Sequence, residues 1–557
     1  MRRAEPVLWV GLLFSIVVTL LPLPSSIAYP GFGSYSLISD PLLVIAYLST
    51  MFFVSAIWLT RRGSRVAIVT VLFVISLTYL AFWQIVSPNP AHFNSGFVYR
   101  AFYIAVTGHT LPANLDAYAT SLPGLSLIWA ALGETAGLSM YQSAMLSNIA
   151  VSITITFAVF SFTSRVLDST ELGLLSSVLA VVGNQFLMRG IEVDSLYGLA
   201  LLLLAILTIL AIPRGGWVPR LTLVVFASAS VITYPIPIVI VLVVVGLLIV
   251  SGLLRWEVLR GLRKTEAGRL VGLLSLLGGI WAAWLIYLGP GWVDFLSLSF
   301  GGTLATTGGQ QSYLFSLFNS DFLSLQGLEA AIDYVWLGLV GIGALLVIFY
   351  SVRRDFTRMR LDGLVLASVV LLVAVFVASK GAEVTRVALY LPFLAAPGLA
   401  TLVGRVSKKM VASALIAILV VSLPTLIAFF PDIGSSSYVV YNQTVSAGVF
   451  VGSYSPSTQI QLYGTGASMQ GYFSQSQVVV LRYPEYNSSH SMAGAYSYMI
   501  QHTPGILFTY SVQLSYQITH VFRDLTPNQL NTIFANETEK MDIVYQNGLS
   551  VFIVNPR

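Results

Sequence analysis

Two carboxylates two residues apart have the spacing that most favours metal chemistry in this sequence. Glu192 and Asp194 lie in a short polar segment that also contains Arg189. Carboxylate oxygens are the ligands that Mg²⁺ and Mn²⁺ prefer, and a bound divalent cation can neutralise a phosphate. The same segment can instead form a solvated turn in which Arg189 pairs with a carboxylate. Both interpretations of Glu192 and Asp194 stay open at this point.

Four further side chains are candidates for acid–base chemistry. Asp116 is a carboxylate in the long polar segment 87–138, where it could activate an acceptor or bind a metal. Asp40 precedes an apolar segment, although Ser39-Asp40-Pro41 also has the pattern of a helix start. His92 and His109 flank a predicted helix, and either could serve as a base or phosphate partner near neutral pH. A solvated turn for Asp116 and ordinary loop positions for the two histidines are the alternatives.

Three cations are candidates for binding a phosphate: Arg386, Lys380 and Arg189. A guanidinium binds phosphate through two parallel hydrogen bonds, which favours Arg386 in this role. An ion pair between Arg386 and Glu383 at a helix end is the alternative. The glycine-rich stretch 301–311 is not a phosphate loop, because no Lys-Ser or Lys-Thr follows it.

The composition predicts a membrane protein. Of the 557 residues, 56% are hydrophobic and only 9% are charged, with a mean hydropathy of +0.83. Soluble domains carry about 25% charged residues, whereas a charge at the bilayer centre is costly. Apolar stretches predict about 13 transmembrane helices in residues 1–430, near 7–23, 42–59, 66–86, 139–163, 171–187, 196–212, 221–233, 236–254, 270–289, 334–350, 362–379, 387–404 and 410–430.

The charge distribution predicts a cytoplasmic N-terminus and an extracellular C-terminus. With this orientation, 20 of the 28 Lys and Arg residues fall in cytoplasmic loops, as the positive-inside rule requires. The same placement accounts for the net charge of +5, so nucleic-acid binding is not predicted. Three glycosylation sequons lie on the predicted outer side, at Asn442, Asn487 and Asn536. There is no cysteine, which excludes disulfides and thiolate metal sites.

Residues 431–557 have a different pattern and predict a soluble extracellular α/β domain. Short apolar runs near 458–463, 477–481, 505–508 and 548–554 are typical of strands. Thr526–Glu539 is predicted to be a helix, with Thr526 as its N-cap and Pro527 at its first helical position. Two long outer loops, 87–138 and 290–333, are predicted within the membrane domain.

Segment 87–138 is predicted to contain two short helices. An amphipathic helix over 95–107 should end at Gly108, and an apolar helix over 124–137 is too short to span a membrane. Further along the chain, Tyr234-Pro-Ile-Pro237 should break a span at the outer surface, where it could line a cavity or simply kink the chain.

These segments resemble the GT-C superfamily of polytopic glycosyltransferases. In the first external loop the similarity is carried by Ala101, Ile104, Thr107-Gly108-His109, Tyr118 and Pro123-Gly124. In the next outer loop, Arg189–Leu196 is similar to the second acidic motif of such enzymes. The closing Asp542–Phe552 resembles the ending of archaeal membrane glycosyltransferases that have an extracellular C-terminal domain.

The resemblance implies transfer of a sugar from a polyprenyl-phosphate carrier to a protein or glycan acceptor on the outer face of the membrane. The sequence departs from the family at the position of the usual catalytic acid, which Asn94 occupies. An amide cannot take a proton from an acceptor hydroxyl, so the base is either displaced or absent. The alternative is therefore a non-catalytic relative or membrane scaffold that presents the C-terminal domain to partners. Transport is disfavoured because the predicted spans have almost no charges at their centres.

Overall fold

A computed structural model gives the structure of the protein. It describes residues 65–76, 92–110, 120–182, 193–209, 216–253, 264–289, 341–346 and 395–401, five strands after residue 459, and a few single positions between these segments. Nine helices have defined bounds within this part of the chain: α1 (Arg65–Ile75), α2 (His92–Thr107), α3 (Gly124–Ala136), α4 (Met140–Leu167), α5 (Thr170–Val182), α6 (Val193–Ile209), α7 (Val218–Thr233), α8 (Ile236–Leu253) and α9 (Lys264–Tyr287).

The helices of the first long loop begin and end close to where the sequence predicts. Helix α2 ends before Gly108, which has a φ of 72° and donates its N–H to the Ile104 carbonyl. Helix α3 follows Pro123 and ends at Gly137, which also adopts the left-handed conformation. Glycine adopts this conformation without the steric cost that a Cβ brings. Turn chemistry therefore fixes both ends of the predicted helical pair.

Helix α4 is the longest described helix, and side chains at its start satisfy its free amides. Ser139 Oγ accepts the Gln142 N–H at 3.2 Å, and Gln142 Oε1 accepts the Ser139 N–H at 3.0 Å. This reciprocal pair is a capping box. At its other end, Asp168 has a φ of 51° and turns the chain into α5.

Helices α4 and α5 pack closely through small side chains. A Cβ built on Gly173 would lie 3.0 Å from the Phe160 carbonyl, so the two backbones nearly touch. Thr163 and Ser176 form a buried hydrogen bond of 2.9 Å across the same interface. Small residues at an interface allow this approach, which is a common packing mode of membrane helices.

Helix α6 contacts α4, α7 and α8 and lies at the centre of the described bundle. Helix α7 ends at Thr233, Tyr234 is extended, and α8 starts at Ile236. The predicted break at Tyr234-Pro-Ile-Pro237 is therefore present. A Cβ on Gly124 would lie 2.5 Å from Thr233 Oγ1, so α3 begins directly against the end of α7.

Five strands form one mixed sheet in the C-terminal segment: β1 (Ile460–Tyr463), β2 (Val479–Arg482), β3 (Leu507–Ser511), β4 (Asp542–Gln546) and β5 (Ser550–Val554). The strand order is β2-β1-β3-β5-β4, with β1 parallel to both β2 and β3. Strand β5 is antiparallel to β3 and β4. Four strands overlap predicted ones, whereas β4 was not predicted. A separate extracellular domain over 431–557 stays a prediction, and most of the predicted helix 526–539 lies outside the described residues.

The described helices overlap seven of the predicted spans, six of them along most of their length, and α1 covers about half of the span 66–86. Of the described helices, α4 contains the segment that is long and apolar enough to cross a bilayer, Met140–Arg165. Shorter apolar helices cover 97–107, 170–181, 194–209, 218–233 and 271–287. The predicted spans 7–23, 42–59, 362–379 and 410–430 lie outside the described residues, so the number of spans stays a prediction.

Candidate functional site

Asp194 is buried at the first turn of α6. Only 4% of its surface is exposed, and its Oδ1 accepts the Ser195 N–H at 2.9 Å. A negative charge is favourable at a helix start, where the free amides point outward. The helix begins at Val193, so Asp194 is not in a solvated turn, which was one interpretation of this segment. Its backbone therefore belongs to the first turn of α6.

Arg100 and Asp194 are the two buried charged side chains among the residues described here. Arg100 lies in α2, with its Cζ 4.8 Å from the centre of the Phe97 ring. Phe97 in turn meets Trp129 edge to face, with ring centres 6.3 Å apart. A buried charge is costly unless other groups compensate for it. Arg100 and Asp194 both contact other groups of the protein, as a buried charge requires.

A hydrogen-bond network joins the first external loop to α6. The Trp129 indole N–H donates to the Tyr197 hydroxyl at 3.0 Å. The Tyr197 hydroxyl lies 2.9 Å from Asn148 Oδ1, to which it donates, and also contacts Ser147 Oγ. These four side chains are buried and come from α3, α4 and α6. Tyr197 is one helical turn after Asp194, so the network holds the segment that carries the buried carboxylate.

Two further tyrosines hold α6 from the opposite side. The Tyr390 hydroxyl donates to the Ser195 carbonyl at 2.9 Å, and the Tyr390 ring stacks on Tyr234 with ring centres 6.4 Å apart. A Cβ on Gly198 would lie 2.6 Å from the Tyr390 hydroxyl and 2.8 Å from the Tyr234 ring. Glycine at this position therefore lets both rings approach the helix. We call Tyr197, Tyr234, Tyr390 and Gly198 the tyrosine clamp.

The clamp and its hydrogen-bond partners bring together residues that are distant in the sequence. Trp129 belongs to the predicted outer loop 87–138, Tyr197 lies in the second turn of α6, and Tyr390 follows the candidate cation Arg386 by four residues. The Trp284 indole N–H adds a contact from the end of α9 to the Ser121 carbonyl, at 2.9 Å. Residues of the predicted loop 87–138 are therefore in contact with both α6 and α9.

The remaining predicted site residues are placed only in part. His109 is exposed after the end of α2, and its backbone N–H donates to Thr107 Oγ1 at 3.2 Å. His92 is the first residue of α2, and its side chain lies outside the described residues. The other candidates also lie outside the described residues: Asp40, Asp116, Arg189, Glu192, Lys380, Arg386, Asn442, Asn487 and Asn536.

Sequence reasoning missed Trp129, Tyr197, Tyr390 and Arg100 as members of the site. Aromatic residues at helix ends are usual in membrane proteins, so their identity alone carries little information. Tyr390 lies four residues after Arg386, and Tyr197 lies three after Asp194. This proximity to candidate charges was the available signal, but the partners of the two hydroxyls depend on tertiary packing.

The described residues supply only part of a divalent-cation site. Asp194 offers one buried carboxylate, and one Oδ1 lone pair is already used by the Ser195 N–H. No group of three His, Asp or Glu side chains converges among the residues that the structure describes. The donor type suits Mg²⁺ or Mn²⁺, but the described residues do not complete a coordination shell.

The fold matches that of an archaeal oligosaccharyltransferase. The crystal structure of the Archaeoglobus fulgidus enzyme, tethered to an acceptor peptide that contains an Asn-Val-Thr sequon, aligns with 88% of this chain and 74% of its own, at a TM-score of 0.50 and 10% identity. ArnT from Cupriavidus metallidurans in the apo state aligns with 84% of this chain and 93% of its own, at a TM-score of 0.39 and 12% identity. No family model matches the sequence, and no curated protein is significantly similar to it.

The chain thus has the fold of the Archaeoglobus fulgidus oligosaccharyltransferase. The likeness to the oligosaccharyltransferase confirms, at the level of the fold, the resemblance seen in the sequence.

Proposed function

We propose that the protein is a membrane glycosyltransferase that moves a sugar from a polyprenyl-phosphate carrier to an acceptor on the outer face of the membrane. The observation that supports this most directly is the buried Asp194, held at the start of α6 beside the tyrosine clamp. A buried carboxylate held in a fixed position is a candidate for a functional role. The GT-C fold gives this carboxylate its chemical context.

The proposed reaction is a substitution at the anomeric carbon of the sugar. A bond forms from the acceptor oxygen or nitrogen to this carbon, and the bond from the carbon to the phosphate oxygen breaks. The lipid phosphate leaves with the electron pair, while the acceptor loses one proton to a base or to water. The protein must therefore stabilise negative charge on the leaving phosphate and receive a proton from the acceptor.

We propose that Asp194 and Glu192 would hold a Mg²⁺ or Mn²⁺ ion, which would supply positive charge to the leaving phosphate, and that Arg386 would bind the same phosphate. Chain connectivity supports this grouping. Glu192 is two positions before Asp194, and Arg386 is four positions before Tyr390, which correspond to at most about 7 Å and 14 Å of extended chain. Since Tyr390 touches the residue after Asp194, Arg386 is within reach of the same site. Lys380 and Arg189 are further cations for the phosphate.

The base is proposed to be Asp116, since Asn94 occupies the family's usual acid position and cannot accept the proton. Asp40, His92 and His109 are the alternative bases. The acceptor is proposed to be a protein or a glycan. A peptide with an Asn-Val-Thr sequon is the first acceptor to test, because the oligosaccharyltransferase of the same fold was crystallised with one.

Asn94 also supports a second candidate function. A chain with an amide at this position could be a non-catalytic relative that presents the C-terminal segment to partners. Such a protein would keep the fold and the clamp but would not transfer sugar.

The test is sugar transfer by the purified full-length protein from polyprenyl-phosphate sugars to an Asn-Val-Thr peptide, with and without Mn²⁺. We expect Asp194→Asn to lower kcat by about a hundredfold, because an amide would hold the proposed cation less well and the leaving phosphate would lose that positive charge. Asp116→Asn should lower kcat by a similar factor if it removes the base.

The matched control is Glu134→Gln, which makes the same carboxylate-to-amide change on the exposed surface of α3. This variant should retain wild-type activity. Full activity of Asp116→Asn would remove Asp116 from the mechanism. An absence of transfer from every donor by a folded wild-type protein would favour the non-catalytic relative.

A further inference from the structure

The first two turns of α6, which carry Asp194 and Tyr197, make hydrogen bonds to residues that are far away in the sequence. Tyr197 receives the Trp129 indole N–H from 68 residues earlier, and Tyr390 reaches the Ser195 carbonyl from 195 residues later. Ser195 also donates its N–H to Asp194. The Tyr390 hydroxyl therefore contacts the first turn of α6 through the Ser195 backbone. The Tyr197 hydroxyl acts on α6 through its own side chain, three residues after Asp194.

Helix packing alone does not require these hydrogen bonds. A phenylalanine at either position would retain the ring and its apolar contacts and would lose only the hydroxyl. Gly198 keeps the helix surface open so that the Tyr390 hydroxyl can reach past it to the Ser195 carbonyl. The local geometry thus serves the polar contact as well as the packing.

We propose that the Tyr197 and Tyr390 hydroxyls are positioning groups that together fix the Asp194 carboxylate. This inference deepens the proposed function and rests on it only for its catalytic consequence. One hydroxyl connects Asp194 to the first external loop through Trp129. The other connects it to the chain that follows Arg386. Removing either hydroxyl frees the first turn of α6 without removing Asp194 itself.

The test uses Tyr197→Phe and Tyr390→Phe in the full-length protein. Tyr287→Phe is the matched control, since it deletes a hydroxyl from a side chain that is 80% exposed. Hydrogen exchange of the peptide that covers residues 193–198 reports the freedom of the turn without any need for activity. We expect exchange there to rise about fivefold in both variants, the factor that corresponds to one typical hydrogen bond.

Sugar transfer gives the catalytic readout. The kcat of both variants should fall about tenfold or more with little change in the KM for the donor, because a small misplacement of a catalytic group is costly. In an Asp194→Asn background, Tyr197→Phe should cause no additional fall, since it acts through Asp194. Saturating Mn²⁺ alone should restore neither the wild-type exchange rate nor the wild-type kcat in either variant.

The outcomes separate this inference from the proposed function. If exchange rises in both variants but the wild type transfers no sugar, the positioning role stands and the proposed function fails. If the wild type is active and both variants match Tyr287→Phe in exchange and kcat, the inference is overturned. A general rise of exchange across the bundle with a lowered unfolding temperature would also overturn it, because the hydroxyls would then only stabilise the fold.

Discussion

At the scale of single residues, Gly198 determines whether the Tyr234 and Tyr390 side chains can pack against α6. Two aromatic rings lie within van der Waals distance of its backbone, so any side chain must displace at least one of them. The residue is buried in the middle of a helix, where glycine carries an intrinsic cost. Its presence is explained by this contact and not by backbone conformation.

We predict that Gly198→Ala lowers the free energy of unfolding by about 1–3 kcal/mol, the usual cost of overpacking a close contact. Gly246→Ala is the control, because it lies in α8 with no atom within 4 Å of the added Cβ. That variant should be unchanged or slightly stabilised, by about 0.5–1 kcal/mol. Denaturant unfolding in detergent measures both. Equal stability of the two variants would contradict the proposed close contact at Gly198.

Sequence patterns could predict local turns better than the partners of individual side chains. Gly108, Pro123 and the Tyr234 break each act on their own backbone, and the predicted helix ends near them agree with the structure. Tyr197 and Trp129 meet only because α3 and α6 pack together, which no local pattern specifies. The charge of Asp194 made it a candidate, but the sequence pattern did not predict that its side chain is buried.

At the scale of elements, the start of α4 links the first external loop to the core of the bundle. Helix α3 ends at Gly137, and the capping box at Ser139 starts α4 two residues later. The same helix then carries Ser147 and Asn148 to Tyr197. A well-defined start of α4 is therefore needed to hold the polar network in register.

We predict that Ser139→Ala destabilises the protein by about 1 kcal/mol, because the Gln142 amide loses its acceptor. Ser139→Thr should retain most of the stability, since threonine also caps helices. Ser453→Ala serves as a comparison, because Ser453 is exposed and its hydroxyl bonds only to the carbonyl four residues earlier. Thermal unfolding of the three variants measures the effect. If Ser453→Ala lowers the unfolding temperature as much as Ser139→Ala does, the result would argue against a stabilising cap at Ser139.

At the scale of the whole molecule, the orientation in the membrane decides whether the clamp faces the outside. The distribution of 20 and 8 basic residues across the predicted loops favours an inside N-terminus and an outside C-terminus. The clamp residues Tyr197, Tyr234 and Tyr390 all lie near predicted outer ends of spans. The proposed transfer to an external acceptor depends on this orientation.

We predict that a periplasmic-type reporter fused after Arg557 is active and that a cytoplasmic-type reporter there is not. Glycans at Asn442, Asn487 and Asn536 would provide a second measurement in a host that glycosylates sequons. A fusion that functions only in the cytoplasm would reverse the orientation and place the clamp on the inner side.

The bounds of α7 have a consequence for the surrounding lipid. The helix has 16 residues between Trp217 and Tyr234, which is a length of about 24 Å. A typical hydrocarbon core is about 30 Å thick, and a shorter helix is accommodated by local thinning of the bilayer. The face of α7 that carries Val218, Leu221 and Val225 is exposed and apolar, as expected for contact with acyl chains.

Thinning next to α7 would lower the outer leaflet where the helix meets Tyr234, and would bring lipid headgroups closer to the buried carboxylate on α6. Acyl-chain length then becomes a control on activity: reconstitution into vesicles with chains of about 14 carbons should give faster transfer than chains of about 20, because the thinner bilayer matches α7 without deformation. Equal rates across the series would mean that the neighbouring helices, and not the lipid, compensate for the short α7.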